Sequence, residues 1–219
     1  MKKKKLFIFS ILSLFFTLFL TACGTNAQEN NPNYDSSKYL SGYHYAKMEI
    51  KDYGTITLCL DADSAPATVT NFVNLVQEGF YNGLTFHRII NGFMIQGGDP
   101  NGNGTGGATY TVPGEFSIND YNNPISHTRG TISMARSKKY DSASSQFFIV
   151  HEDSTGLDGS YAGFGTVISG MEIVDAICAN TITEDDNGTV LTQNQPVINS
   201  ITILPADYFS NDAPQENIK

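Results

Sequence analysis

The chain has 219 residues, 40% apolar and 16% charged, with 14 Phe and 11 Tyr, which excludes a fully disordered, collagen-like or coiled-coil chain. Formal net charge is −9, but four of the 13 basic residues are Lys2 to Lys5, and without residues 1–22 the balance is 9 basic against 22 acidic, or −13. Phosphate contacts need clustered Lys and Arg, so nucleic acid is not an expected partner.

At the N-terminus, Lys2 to Lys5 precede fifteen uncharged residues, 6–20. That is a positive n-region followed by an apolar h-region. Fifteen residues fall short of the roughly 20 needed for a membrane span. The stretch ends in Leu20-Thr21-Ala22-Cys23-Gly24, which resembles the bacterial lipobox. The resemblance implies a lipoprotein signal peptide over 1–22, lipidation of Cys23, and a membrane-tethered, extracytoplasmic protein. An ordinary secretory signal with an incidental Cys is the alternative. Residues 24–43 are rich in Asn, Ser, Gln and Asp without apolar periodicity. They read as a flexible tether, so that the linker covers 23–43; an arm packed on the domain is the alternative. Residues 208–219 read as a polar tail.

Strand signals dominate the body, 44–207. His44 to Lys51 alternates, with Ala46, Met48 and Ile50 on one face, and Thr55 to Leu60 alternates with Ile56, Leu58 and Leu60 on one face. The pair reads as a hairpin around Asp52-Tyr53-Gly54. A helix follows: Ser64 as cap, Pro66 in the first turn, and Val69, Phe72, Val73 and Val76 at helical spacing up to Gly79. Further strands are expected over 85–90, 93–96, 130–135, 146–150, 164–168 and 197–204, with a second helix over 171–179. Many short strands and two helices without a βαβ rhythm predict a mainly β fold, an antiparallel barrel closed so that no edge is open, with the helices over its ends. Cys59 and Cys178 either pair or stand as buried thiols.

Several site readings fail. Asn101 to Gly107 (NGNGTGG) lacks the Lys-Ser/Thr of a phosphate loop and reads as a flexible surface loop. His44, His87, His127 and His151 have no metal-ligand spacing, and His87 reads as a structural hydrogen-bonding residue. No metal or cofactor is expected. The informative run is Thr85 to Asp99, TFHRIINGFMIQGGD. Arg88 stands there in an apolar strand, where a guanidinium is either salt-bridged or held for a ligand. Gln96 follows on the next strand. In Ser145 to Val150, SQFFIV, Phe147 and Phe148 point to opposite faces, one into the core and one toward a surface pocket.

FHRIINGFMIQGGD, GTISMAR, SQFFI and LDGSYAGFG occur in that order, and over 44–205 the chain resembles the cyclophilin family of peptidyl-prolyl isomerases. The resemblance implies a closed eight-stranded antiparallel barrel capped by two α-helices. It implies a monomeric enzyme that accelerates rotation about Xaa-Pro bonds in proline-containing polypeptides and, with the leader, assists folding of exported proteins. A proline-binding chaperone or adaptor with little turnover is the alternative. Residue by residue, it makes Arg88, Phe93 and Gln96 catalytic. Met94, Phe148 and Leu157 join Phe93 in walling the proline pocket. Ala135 and Arg136 match the strand that pairs with the bound peptide, Gln146 matches the far rim, and Tyr161 stands where many members have His. Gly156 stands where many members carry an aromatic residue, often Trp, which predicts weak cyclosporin binding. The loop Ser137 to Ser144 (SKKYDSAS) is more charged than the family's usual Gly/Asn-rich segment.

Overall fold

A computed structural model describes residues 36–208. The expected leader 1–22, Cys23, most of the expected tether and residues 209–219 lie outside the described residues. Within them, the strands are β1 (Tyr43–Ile50), β2 (Gly54–Asp61), β3 (Phe86–Ile90), β4 (Met94–Gly97), β5 (Thr131–Met134), β6 (Phe147–Val150), β7 (Gly163–Ser169) and β8 (Ile198–Ile203). The helices are α1 (Pro66–Gln77) and α2 (Met171–Asn180). Each expected strand and helix is present, with ends displaced by one or two residues.

Period-2 alternation sets the two faces of the sheet. Ala46, Met48, Ile56, Leu58 and Leu60 are fully buried, as their spacing predicted. Their partners across the β1–β2 ladder pair in register, Met48 with Ile56 and Ala46 with Leu58. The helical stripe of α1 brings Phe72 into the barrel, where its ring meets Tyr81, Phe147 and Phe164 at centroid distances of 5.2, 5.8 and 5.3 Å. Leu40 packs against this core and its amide donates to Thr70 Oγ1 at 2.7 Å, so the end of the expected tether lies on the domain.

The barrel is not closed by a ladder. The eight strands form one antiparallel sheet in the order β3-β4-β6-β5-β7-β2-β1-β8, curled into a half-barrel whose ends are β3 and β8. The seam is filled by irregular chain instead. Phe86 N donates to Pro196 O, Ile89 N donates to Gly188 O, and Val190 N donates to His87 O. A single bridge, Thr85 to Val197, links the two ends. The edge groups of β3 are therefore satisfied by residues 188–196, which removes the need for direct β3–β8 pairing.

Helix α1 differs from expectation at its start. The cap position is Ala65, with no side-chain cap, and Ser64 instead donates to Asp61. The first-turn amides are met from 48 and 47 residues away: Glu115, fully buried, accepts from Ala67 N and Thr68 N, each at 2.9 Å. A carboxylate there answers both the unpaired donors and the positive end of the helix. Glu115→Ala leaves two buried amides without an acceptor, and urea unfolding should report a loss of about 2–4 kcal/mol. Glu115→Gln, keeping one good acceptor, should lose about half as much.

Candidate active site

Strand register places the expected site residues in rows across one face of the sheet. Arg88 pairs with Gln96, Gln96 with Phe148, and Phe148 with Ser133. A second row, two residues along each strand, runs Ile90, Met94, Val150. Side chains two apart on a strand share a face, so both rows point to the same side. Phe147, one residue away, is fully buried on the opposite side among Phe72, Tyr81 and Phe86.

The result is a second apolar cluster, separate from the barrel core. Met94, Phe148 and Val150 form its floor, and Ile90, Phe93, Ala135, Leu157 and Tyr161 pack around it. The four residues expected to wall the pocket, Phe93, Met94, Phe148 and Leu157, meet here, together with Ala135 and Tyr161. Ile90 and Val150 were not anticipated, although each lies two residues from an anticipated one. Phe93 is fixed from behind: its carbonyl accepts from His151 N at 2.8 Å, and His151 Nδ1 accepts from Gly92 N at 2.9 Å. The other ring nitrogen then donates to Asp175, which also holds Arg129 through both oxygens at 2.7 and 2.8 Å.

Arg88 stands at the edge of this hollow and is half-buried. Its Nε donates to Asn187 O at 2.8 Å, its Nη1 to Gln96 Oε1 at 3.3 Å, and Nη1 lies 3.9 Å from Met94 Sδ. Among the described residues it forms no ion pair with a carboxylate. Gln96 Nε2 donates to Gln146 Oε1 at 2.9 Å, and Gln146 Nε2 donates to Gly106 O at 2.8 Å. This chain fixes both amides and leaves the guanidinium charge uncancelled. The loop that carries Asn187 approaches closely because Gly188 has φ of +79°, and a Cβ there would collide with the Ile89 carbonyl.

Behind Phe148 lies a buried polar column that sequence reasoning missed. The His127 ring stacks on Phe148 at 5.9 Å and 18°, and meets Tyr161 edge-on at 6.5 Å. His127 Nδ1 lies 2.9 Å from Asp158 Oδ1, and Nε2 lies 2.9 Å from Ser133 Oγ. Ser, His and Asp here resemble a nucleophilic triad only in composition, because Ser133 and His127 are both fully buried. Burial holds the His127 pKa below its usual 6.5, against the opposing pull of Asp158. The ring is thus neutral in the fold, donating to Asp158 and accepting from Ser133. Burial alone would raise Asp158, but bonds from Ser126 and His127 outweigh it and hold its pKa low.

Two further expectations change. His87 is buried, yet both its ring nitrogens lack a hydrogen-bond partner, so it does not act as the expected hydrogen-bonding residue. The glycine-rich loop is organised: buried Asp99 accepts from Asn101 N, Asn103 N and Gly104 N at 2.7, 3.1 and 2.5 Å. Cys59 and Cys178 are both free thiols. Arg136 lies beside the pocket with its guanidinium over three aromatic rings.

The neutral buried ring sets a pH dependence. In the unfolded chain a histidine binds a proton near pH 6.5, whereas folded His127 binds it only at lower pH. Stability is therefore full above 6.5 and lost as pH falls below it, and His87, also lowered by burial, adds to the same window. Urea midpoints measured from pH 8 down to about 5 should fall in wild type and fall less steeply in His127→Gln.

A family model described as cyclophilin type peptidyl-prolyl cis-trans isomerase/CLD matches residues 45–205. Among curated proteins, peptidyl-prolyl cis-trans isomerase B of Bacillus subtilis is 49% identical over 123 residues, 56% of this chain and 82% of that protein. A peptidyl-prolyl cis-trans isomerase of Synechococcus elongatus is 54% identical over 112 residues, 51% of this chain and 72% of the relative. The structure is similar to a crystal structure of a Cryptosporidium parvum cyclophilin type isomerase, with TM-score 0.66, 29% identity, and coverage of 75% of this chain and 99% of that one. The same protein in the presence of the dipeptide Ala-Pro gives TM-score 0.65 and 31% identity over 74% of this chain and 99% of that one.

Proposed function

The chain belongs to the cyclophilin-type peptidyl-prolyl cis-trans isomerase family and is an isomerase of Xaa-Pro bonds, and on that premise we propose that turnover is carried by Arg88 acting over the pocket of Phe93, Met94, Phe148, Leu157 and Tyr161. The observation that carries this reading is a guanidinium beside an apolar hollow, held only by neutral acceptors.

The barrier to rotation is about 18–20 kcal/mol, because amide resonance must be broken. No bond to carbon is made or cleaved, so the residues need only favour the twisted state. The apolar cluster holds the pyrrolidine ring. Gln96, fixed between Arg88 and Gln146, meets the substrate backbone. As the prolyl nitrogen pyramidalises, its lone pair localises and becomes an acceptor. The Arg88 protons not engaged by Asn187 and Gln96 donate to it. That bond exists mainly at the top of the barrier, so it raises kcat and does more than tighten binding. A low-dielectric floor strengthens it. The open space around Gly156, where a Cβ meets nothing within 4 Å, leaves the rim without an aromatic grip and supports weak cyclosporin binding.

Removing one donor aimed at a developing lone pair costs on the order of 10²–10³-fold in rate. Arg88→Ala should lose about that much kcat/KM on an Ala-Pro peptide followed by NMR exchange, with the unfolding midpoint little changed. Full turnover in the variant would remove Arg88 from the mechanism.

The same proposal places the enzyme on the outer face of a membrane, anchored through Cys23, where it assists folding of exported proteins. Lys2 to Lys5, the apolar run 6–20 and Leu20 to Gly24 support it. A single acyl chain binds weakly, so the anchor requires more than one. Cys23→Ser in the full-length chain should abolish incorporation of labelled fatty acid and move the protein from the membrane fraction to the soluble one, or stall its processing. Unchanged fractionation and labelling would refute the anchor.

A further inference from the structure

At the β5 end of the groove, Arg136 ties a pocket wall to the loop that follows it. Its Cζ lies 4.7 Å from the Tyr161 ring centroid, 5.0 Å from Phe116 and 5.4 Å from Tyr140. Nε and Nη2 donate to Ser160 O at 2.9 and 2.7 Å, and Nη1 donates to Ser137 O at 3.0 Å. This cation is thus engaged by rings and carbonyls. The loop beyond it is held in shape: Ser137 N donates to Ser142 Oγ at 3.0 Å, Ser142 Oγ donates to Lys139 O at 2.6 Å, and Val112 N donates to Ala143 O at 2.9 Å.

The fixed loop presents Lys138 and Lys139, both exposed, to solvent. Neither forms an ion pair among the described residues. The loop's own carboxylate, Asp141, is engaged by Gly114 N and Asn119 Nδ2, each at 2.9 Å. Asp158, near Leu157, is engaged by His127 and Ser126. The lysines therefore keep their charge in a body that is otherwise strongly acidic.

Beyond Arg88, at the other end of the row, the exposed rim charges are acidic. Beside Arg88, Thr189 bridges to β3, and the same turn exposes Glu184, Asp185 and Asp186. The Asp185 carboxylate shapes that turn by accepting from Thr189 N and Oγ1, each at 3.0 Å. From Arg88 across β4 and β6 to β5 is three strand spacings, about 14 Å. Charges of opposite sign thus flank a groove of that length, and a peptide lying along it crosses the field between them.

We propose that this groove is electrically polarised and selects Xaa-Pro segments whose acidic side chain lies on the flank facing Lys138 and Lys139. The inference rests on the isomerase reading and adds to it the charge class of the substrate. An acidic residue on the other flank meets Glu184 to Asp186 and is repelled, so position matters as much as sign.

The test uses four peptides with a common Ala-Pro core, followed by NMR exchange, alongside a neutral Ala-Pro peptide. They carry Glu before and Lys after the core, the reverse, Glu on both flanks, and Lys on both flanks. One of the two mixed peptides should exceed its reverse in kcat/KM by about three- to tenfold at low salt. The difference should collapse at about 0.5 M salt, because both charge sets are exposed. Lys138→Glu/Lys139→Glu makes both flanks acidic, so it should abolish the difference between the two mixed peptides and make the peptide with Lys on both flanks the best, while the neutral peptide is turned over as before. Equal turnover of all charged peptides overturns the inference and leaves the isomerase reading standing. A variant that loses the neutral peptide equally makes the loop structural and overturns it too. Loss of binding to phosphatidylglycerol vesicles with unchanged peptide ranking assigns the lysines to a lipid surface and overturns it. No turnover of any peptide by wild type defeats the isomerase reading, and this inference with it.

Discussion

The face proposed to carry catalysis is organised around one unpaired guanidinium. An arginine in a sheet usually ends beside a carboxylate, and the pair then holds its charge at the cost of desolvation. Arg88 instead meets a backbone carbonyl, an amide oxygen and a thioether. Neutral acceptors orient the fork without cancelling its charge. That choice explains the company it keeps: a glutamine pair on one side in place of a glutamate, and a glycine-bearing turn on the other that brings Asn187 O within 2.8 Å. A carboxylate in either place would quench the field on which the proposed mechanism relies.

One sheet serves two purposes because consecutive side chains face opposite ways. Phe147 completes the aromatic core with Phe72, Tyr81 and Phe86, and Phe148 floors the hollow. The packing that stabilises the barrel therefore also sets the height and tilt of the pocket floor. His127 adds a further constraint from below, stacked on Phe148 and bonded to Ser133, which occupies the next place in the same row. A charged ring there would be costly in so dry a site, which is why burial keeps it neutral.

How much was legible in the sequence follows from how far apart the interacting residues lie. Alternation within β1, β2 and β6 named the buried faces correctly, because that signal is local. The helical stripe of α1 did the same. The cap on α1 was misread for the opposite reason: Ser64 sits where a local cap would, but the acceptor comes from Glu115, 48 residues away. The seam between β3 and β8 was misread as closure, because no local pattern reveals that residues 188–196 occupy the space between them. Within the pocket, the motifs that carry the family resemblance located ten residues. They were silent on His127 and Asn187, whose parts are played through a ring stack and a backbone carbonyl.

The floor and the rim also differ in what holds them, and this bears on where specificity resides. The floor is built from paired strands, so any change to Met94, Gln96 or Phe148 shifts a ladder partner. The rim is built from the turns at 136–144 and 184–189, each shaped by side-chain bonds within the turn, from Ser142 in one and Asp185 in the other. Such turns exchange exposed charges without disturbing the strands beneath. A fixed reaction over a variable electrostatic border is the expected outcome, and here that border carries lysines at one end and carboxylates at the other. On the proposed reading the pocket recognises the proline ring by shape, so discrimination among proline-containing chains falls to groups that reach beyond the ring.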